Sequence, residues 1–241
     1  MSARFDGRVA LVTGASGGIG RAIARRLAAE GARVASHYAS NRDAAQQLAD
    51  EIGATILHAD LRDAAQTEAL VDETESALGP VDLLVANAGM GQRANFEDVD
   101  AAMFDETLAA NLRAPFLLAR RTIPGMRERG YGRVLMTSSV AALTGGIVGP
   151  HYASSKAGLH GLVHFLAART AKDGVTVNAI APALIEDTTM LPGDPGDLAT
   201  RIPVGRLGKP DEVADLALAM LANGYLTSKI VAIDGGMYAN N

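Results

Sequence analysis

A doubly wound α/β fold is the architecture this sequence predicts: one parallel sheet of about seven strands with helices on both faces. Three observations predict it. Short β-branched runs alternate with longer alanine-rich stretches along the chain, and a βαβα order calls for parallel strands joined by right-handed crossover helices. The run Val81–Ala86 is apolar without alternation, as a strand covered on both faces must be. A glycine-rich turn joins the first strand to the first helix, the place where such sheets bind phosphates.

Taken in order, Arg8–Thr13 reads as a strand and Gly18–Glu30 as a helix with Ile19, Ile23, Ala24 and Leu27 on one face, ended by Gly31. Arg33–His37 is the second strand. Arg42–Ile52 is helical, with Leu48 and Ile52 four apart, and Ala54–Ala59 is the third strand. A helix over Ala64–Leu78 leads to the buried strand Val81–Ala86. Asp100–Arg129 is a long helical stretch in which Pro115 and Pro124 predict a bend or break. Arg133–Thr137 is a strand, Tyr152–Lys172 a helix, and Val175–Ile180 and Lys229–Ile233 are the last strands.

The 241 residues fit one domain, 1–241. Pro, Gly and Asp concentrate in 186–210, read as a mobile substrate lid rather than a boundary. With 48% hydrophobic and 20% charged residues the chain has the make-up of a folded globule, not of a disordered one. A net charge of −5 with interspersed Lys and Arg gives no basic footprint for nucleic acid or an anionic membrane. Cysteine is absent, which excludes disulfides and thiolate metal sites. No apolar run approaches the ~18 residues of a membrane span, and the N-terminal residues lack a signal-peptide pattern, so a cytoplasmic location is expected.

In Thr13-Gly-Ala-Ser-Gly-Gly-Ile-Gly20, Gly14, Gly18 and Gly20 follow the spacing G-x-x-x-G-x-G. Missing Cβ atoms let the backbone approach a pyrophosphate, and the following helix offers free N–H groups and the positive end of its dipole. Set between strand and helix, the turn predicts a Rossmann dinucleotide site. The stretch after the second strand has no acid before Asp43. A carboxylate there would repel a 2′-phosphate, so NADP(H) is the expected cofactor, with His37, Ser40, Asn41 and Arg42 as candidate phosphate donors.

Tyr152 and Lys156, four apart in a helix, share one face. A phenol titrates too high to be a good proton donor or acceptor at neutral pH, and a neighbouring ammonium would bring it down. Ser138 and Ser139 close the strand Arg133–Thr137, at the sheet edge where ligands bind. His160 and His164 lack a third metal ligand and read as ordinary helix residues.

Together these motifs resemble the short-chain dehydrogenase/reductase family over essentially the whole chain. Gly14, Ser16, Gly17, Gly18, Ile19 and Gly20 match its cofactor turn, and Asp60-Leu61 its adenine position. Asn87-Ala88-Gly89 matches its Asn-Ala-Gly, and Asn111 lies in its Asn-Leu-x-Ala segment. Ser139, Tyr152 and Lys156 fit Ser…Tyr-x-x-x-Lys, and Pro182, Ile185 and Thr188 the segment flanking the nicotinamide. The chain departs from the pattern at Gly17, where many NADP-preferring members carry a basic residue. It departs also at Ala86, at Ala183 and at Asp187, which displaces the threonine to Thr188.

The resemblance implies hydride transfer between a nicotinamide and a carbonyl or alcohol carbon. Tyr152 would exchange the proton, Lys156 would lower its pKa and hold the ribose, Ser139 would bind the substrate oxygen, and Asn111 would anchor a water. Arg33–Ser40, Asn178–Pro182 and Gly205–Pro210 resemble 3-oxoacyl-(acyl-carrier-protein) reductases. That implies a 3-oxoacyl thioester as substrate. Met90 to Arg93, Leu143 to Ile147 and Leu184–Leu191 are the pocket-facing candidates, and Arg127, Arg129 and Lys172 are candidates to meet an acidic carrier protein. An NAD-dependent secondary-alcohol or sugar dehydrogenase, and a non-catalytic NADP-binding regulator, stand as alternatives. The Tyr152–Lys172 helix is apolar nearly all round. One side should pack on the sheet and the other on a partner helix, and the resemblance implies a homotetramer.

Overall fold

Seven parallel strands form one sheet in the order β3-β2-β1-β4-β5-β6-β7, in a computed structural model that describes residues 3–188, 191 and 195–238. In chain order the elements are β1 (Val9–Val12), α1 (Gly18–Ala29), β2 (Arg33–Tyr38), α2 (Arg42–Ile52), β3 (Thr55–His58), α3 (Ala64–Leu78) and β4 (Leu83–Ala86). There follow α4 (Ala101–Leu108), α5 (Ala114–Glu128), β5 (Gly132–Thr137), α6 (Ala141–Thr144) and α7 (Pro150–Thr170). The chain closes with β6 (Val175–Pro182), α8 (Pro195–Ala199), α9 (Pro210–Ala222) and β7 (Ile230–Ile233).

The strand order turns at β1, which pairs with β2 on one side and β4 on the other. That reversal opens a crevice at the carboxyl ends of the strands, where ligands bind in open α/β sheets. Helices cover both faces, so the central strands are buried throughout: all four residues of β1 and β4 and all eight of β6. On one face Ile23 and Leu27 of α1 pack with Val213 and Leu218 of α9. On the other, Leu70 of α3, Leu118 of α5, and Leu159 and Val163 of α7 share a second core. Among the described residues no helix is long and apolar enough to cross a membrane.

The long helical stretch is interrupted, but at neither proline. A π-helical turn, Ala109–Arg113, separates α4 from α5. Pro115 lies in the first turn of α5, and Pro124 is accommodated inside it. The Ala114 N–H bonds back five residues to the Ala109 carbonyl, and Pro115 has no N–H for the Asn111 carbonyl four residues earlier. The helix α9 was not anticipated, although Pro210 at its first position and Asp211 and Glu212 in its first turn are start signals. Of the lid expected over 186–210, residues 189, 190 and 192–194 lie outside the described residues. What is described includes α8 and a parallel bridge between Ile185 and Gly208.

Candidate active site

A cavity of about 570 Å³ occupies the crevice at the carboxyl ends of the strands. One wall is the turn from β1 to α1. Thr13 and Asn87 fix that turn to the end of β4. The Thr13 hydroxyl accepts the N–H groups of Asn87 and Ala88, each at 3.0 Å, and the Asn87 amide donates to the Thr13 carbonyl at 3.0 Å. Gly14 has a positive φ of 66°. A Cβ on Gly20 would collide with the Gly14 carbonyl oxygen, and one on Gly18 would lie 2.5 Å from the Asp187 carbonyl oxygen. No side chain caps α1, so its first N–H groups remain for an anion. A turn with no room for a Cβ at Gly14, Gly18 or Gly20 and lined by uncapped amides fits a dinucleotide pyrophosphate. Ser16, Gly17, Gly18, Ile19 and Gly20 all line the cavity with Gly14.

At the adenosine end four expected contacts are already partnered or lie off the cavity wall, His37 alone of the four lining it. His37 is 1% exposed and both its ring nitrogens are taken. Nδ1 accepts the Gly14 N–H at 3.2 Å, and Nε2 lies 3.0 Å from the Ala59 carbonyl oxygen. Burial pushes its pKa below the ordinary value, so the ring is a neutral strut under the glycine turn, not a phosphate donor. Arg42 opens α2 and is exposed, outside the cavity wall. The Asp60 carboxylate is gripped by Arg62 through Nε and Nη2, at 3.0, 3.1 and 2.7 Å. Leu61 is buried in the core, and neither it nor Asp60 lines the cavity. Asn41 does line it. Its Oδ1 caps α2 by accepting the Ala44 N–H at 3.0 Å, which turns its amide NH2 free for another partner. Among the described residues no carboxylate lines the cavity.

The proton-transfer candidates meet at the far side of β4. Tyr152 is in the first turn of α7 and Lys156 one turn on, both buried and both lining the cavity with Ser139. Lys156 Nζ donates to the Thr137 carbonyl at 2.8 Å and lies 5.8 Å from the centre of the Tyr152 ring. Burial pulls the lysine down to about 8. The tyrosine goes the other way from the sequence-based expectation. Burial raises its pKa, and the adjacent Ser139 hydroxyl only partly offsets this. Desolvation of the phenolate outweighs the Ser139 hydrogen bond here, so in this state Tyr152 is a protonated donor rather than a ready base. Ser139 accepts the Ala141 N–H at 3.2 Å. Ser138 is structural: its hydroxyl donates to the Lys156 carbonyl at 3.1 Å and lies 2.9 Å from His160 Nε2, pinning α7 to β5.

Asn111 is fully buried in the π turn, and its carboxamide is committed. Oδ1 accepts the Met90 N–H at 2.8 Å, and Nδ2 donates to the Met90 carbonyl at 2.7 Å and to Ser155 Oγ at 3.0 Å. A water held at this position would use the main-chain carbonyl that Pro115 leaves without a donor. Pro182, Ile185 and Thr188 line the cavity with Asn87, Ala88 and Gly89. Thr188, not Asp187, faces it, with its hydroxyl on the Ile185 carbonyl at 2.8 Å.

Other expectations divide. Thr144, Gly146, Ile147, Leu184 and Leu191 line the cavity, whereas Met90 to Arg93 do not. Arg127 pairs with Asp173 at 2.6 Å, and Arg129 donates to the Val81 carbonyl at 2.7 Å. Their partners precede β6 and β4, at the amino-terminal ends of the strands and so opposite the cavity, and Lys172 is exposed beside Asp173. Within one chain they cannot meet a substrate entering the site. Missed by sequence reasoning were Val140, Val148, Leu198, Arg201 and Met237. Val140 lies just past Ser139, at a strand end where lining is expected; Leu198 and Arg201 fall in the stretch 186–210 read as a substrate lid but were not singled out, and Met237 gave no local signal.

The model of the short chain dehydrogenase family matches residues 8–195. The chain is 38% identical to acetoacetyl-CoA reductase of Rhizobium meliloti, over 96% of this chain and 98% of that protein. It is 36% identical to the 3-oxoacyl-(acyl-carrier-protein) reductase FabG of Escherichia coli, over 97% and 98%. A blue fluorescent protein from a metagenomic library, solved in complex with NADPH, superposes with a TM-score of 0.92 at 34% identity, over 98% of this chain and all of that one. These matches run over nearly the whole length of each chain, and the chain belongs to the short-chain dehydrogenase family.

Proposed function

We propose that the protein is an NADPH-dependent carbonyl reductase that converts a 3-oxoacyl thioester, on acyl carrier protein or coenzyme A, to its 3-hydroxyacyl form. One observation carries the reading: Tyr152, Ser139 and Lys156 line the same cavity as the glycine turn, with the tyrosine held in its protonated form. When bound, NADPH would supply the hydride. Gly14, the first turn of α1 and Asn87 to Gly89 would hold its phosphates and riboses, and Pro182, Ile185 and Thr188 its carboxamide end. Ser139 donates a hydrogen bond to the substrate carbonyl oxygen and holds it beside Tyr152. As charge develops on that oxygen, Tyr152 gives up its proton to it. Lys156 keeps N–H donors beyond the one on Thr137, and these bind the nicotinamide ribose and stabilise the phenolate left behind.

The absence of any carboxylate from the described wall supports NADPH over NADH, because nothing there repels a 2′-phosphate. Ser40 and the free amide of Asn41 are the nearest donors, with Arg42 one residue away. The apolar residues Val140, Ile147, Leu184 and Leu198 support an acyl chain over a polyol. Assembly belongs to the same proposal. Phe165 on α7 is 55% exposed and Phe116 on α5 42%, apolar surface suited to a homotetramer; a cytoplasmic setting goes with it. The test is steady-state reduction of acetoacetyl-CoA with NADPH and with NADH. Turnover with NADPH at a clearly higher kcat/KM, lost in Tyr152→Phe, supports the reading. A preference for NADH, or activity only in the oxidation of alcohols, refutes it.

A further inference from the structure

The end of the cavity beyond β7 carries a charged group that proton transfer does not use. Arg201 follows α8 and lines the cavity together with Leu198 and Met237. Met237 comes after β7, the sheet edge opposite to β2 and β3, so this end lies away from the adenosine side. The main chain there is fixed. The Arg201 N–H donates to the Leu198 carbonyl at 3.1 Å. Its neighbour Ile202 is 4% exposed, in a small apolar cluster with Leu198 and Leu207. Val204 N–H donates to the Gly235 carbonyl at 3.1 Å.

The guanidinium itself is exposed and, among the described residues, makes no ion pair or hydrogen bond. Arg206, five residues on, shows the contrast: two of its nitrogens are locked onto Glu212 at 2.9 and 2.6 Å. Among the described wall residues the other basic side chains are committed: Lys156 is buried and bonded to Thr137, and both ring nitrogens of His37 are taken. An uncommitted guanidinium at the rim of a cavity whose described wall holds no carboxylate is suited to meet an oxyanion.

We propose that Arg201 binds an anionic group carried by the substrate, and so selects oxo compounds that bear a phosphate or carboxylate over neutral ones. This rests on the reductase reading above and narrows its substrate. The oxyanion has two sources: the phosphate on the pantetheine arm of a thioester, or a carboxylate on the oxo compound itself.

The experiment compares wild type and Arg201→Gln at saturating NADPH. The substrates are acetoacetyl-CoA, the acetoacetyl thioester of N-acetylcysteamine, which lacks the phosphate, and a 3-oxo dicarboxylic acid monoester. For wild type, the anionic substrate is preferred over the neutral thioester. In Arg201→Gln that ratio of kcat/KM falls about fivefold to tenfold, through KM rather than kcat. A fall with acetoacetyl-CoA assigns the phosphate, and a fall with the monoester alone assigns the carboxylate. An unchanged ratio for both anions overturns the proposal while leaving the reductase intact. If wild type reduces none of the three, the reductase reading fails. The proposal is then decided by calorimetric titration of butyryl-CoA and monomethyl succinate into both proteins, where equal affinities overturn it and a fivefold to tenfold weakening in the variant upholds it.

Discussion

Replacing Lys156 by methionine is expected to abolish catalysis without weakening the fold at neutral pH. The side chain is 2% exposed and bonded to the Thr137 carbonyl. Its fall from 10.5 to about 8 comes from burial, so desolvation costs the charged form on the order of 3 kcal/mol. Below about 8 the folded lysine is charged and that cost is fully present. As pH rises from about 8 to 10.5, the folded protein sheds the proton while the unfolded chain keeps it, and the cost disappears. Methionine is of similar length and carries no such cost, but it strands the Thr137 carbonyl, a loss of about 1–3 kcal/mol. The variant should therefore be as stable as wild type at pH 7, or slightly more so. Its standing relative to wild type should drop by on the order of 2 kcal/mol by pH 10, because wild type gains over that range and the variant does not. Urea unfolding at both pH values, with NADPH oxidation followed in parallel, reads this out. A variant clearly less stable at pH 7, by an amount that does not change with pH, would show that the lysine is not held charged in a desolvated place.

Tyr152→Phe keeps the buried ring and removes only the hydroxyl; kcat should fall at least about 100-fold, with NADPH affinity by fluorescence titration within about twofold, and near-wild-type turnover would exclude the phenol as proton donor. Gly20→Ala places a Cβ against the Gly14 carbonyl and 2.6 Å from the Asn87 amide nitrogen. The turn must open, and NADPH should bind at least about tenfold more weakly; unchanged affinity would contradict the cradle. His37 is neutral in the fold with a lowered pKa, so the unfolded chain takes up a proton near the ordinary 6.5 before the folded one does. The His37 contribution to stability should fall as pH drops below about 6.5 and be flat above it. His37→Leu should lose about 1–3 kcal/mol by orphaning Gly14 N–H and the Ala59 carbonyl, and should lack that acid-limb slope in thermal melts. An identical slope in the variant would refute the strut.

The amino-acid order alone was enough for the parts of this protein that depend on neighbours along the chain. The alternation of strand and helix, the glycine turn, and the one-turn spacing of Tyr152 and Lys156 all follow from local geometry, and the fold places them as expected. Contacts between distant segments, and the water they exclude, were not legible in this way. His37 became a strut because β2 lies between the Gly14 turn and Ala59, and Asp60 is paired with Arg62. Nearness of an ammonium suggested an acidic phenol, but folding removes solvent from both groups, and for Tyr152 the lost hydration raises the pKa against the Ser139 hydrogen bond. Arg201 had no pattern around it in the chain; it acquired a role when packing brought α8 and the segment after β7 to one rim. Charge and hydrogen-bond partnership are set by burial, and burial is a property of the assembled sheet and its two helical layers rather than of any short stretch of sequence.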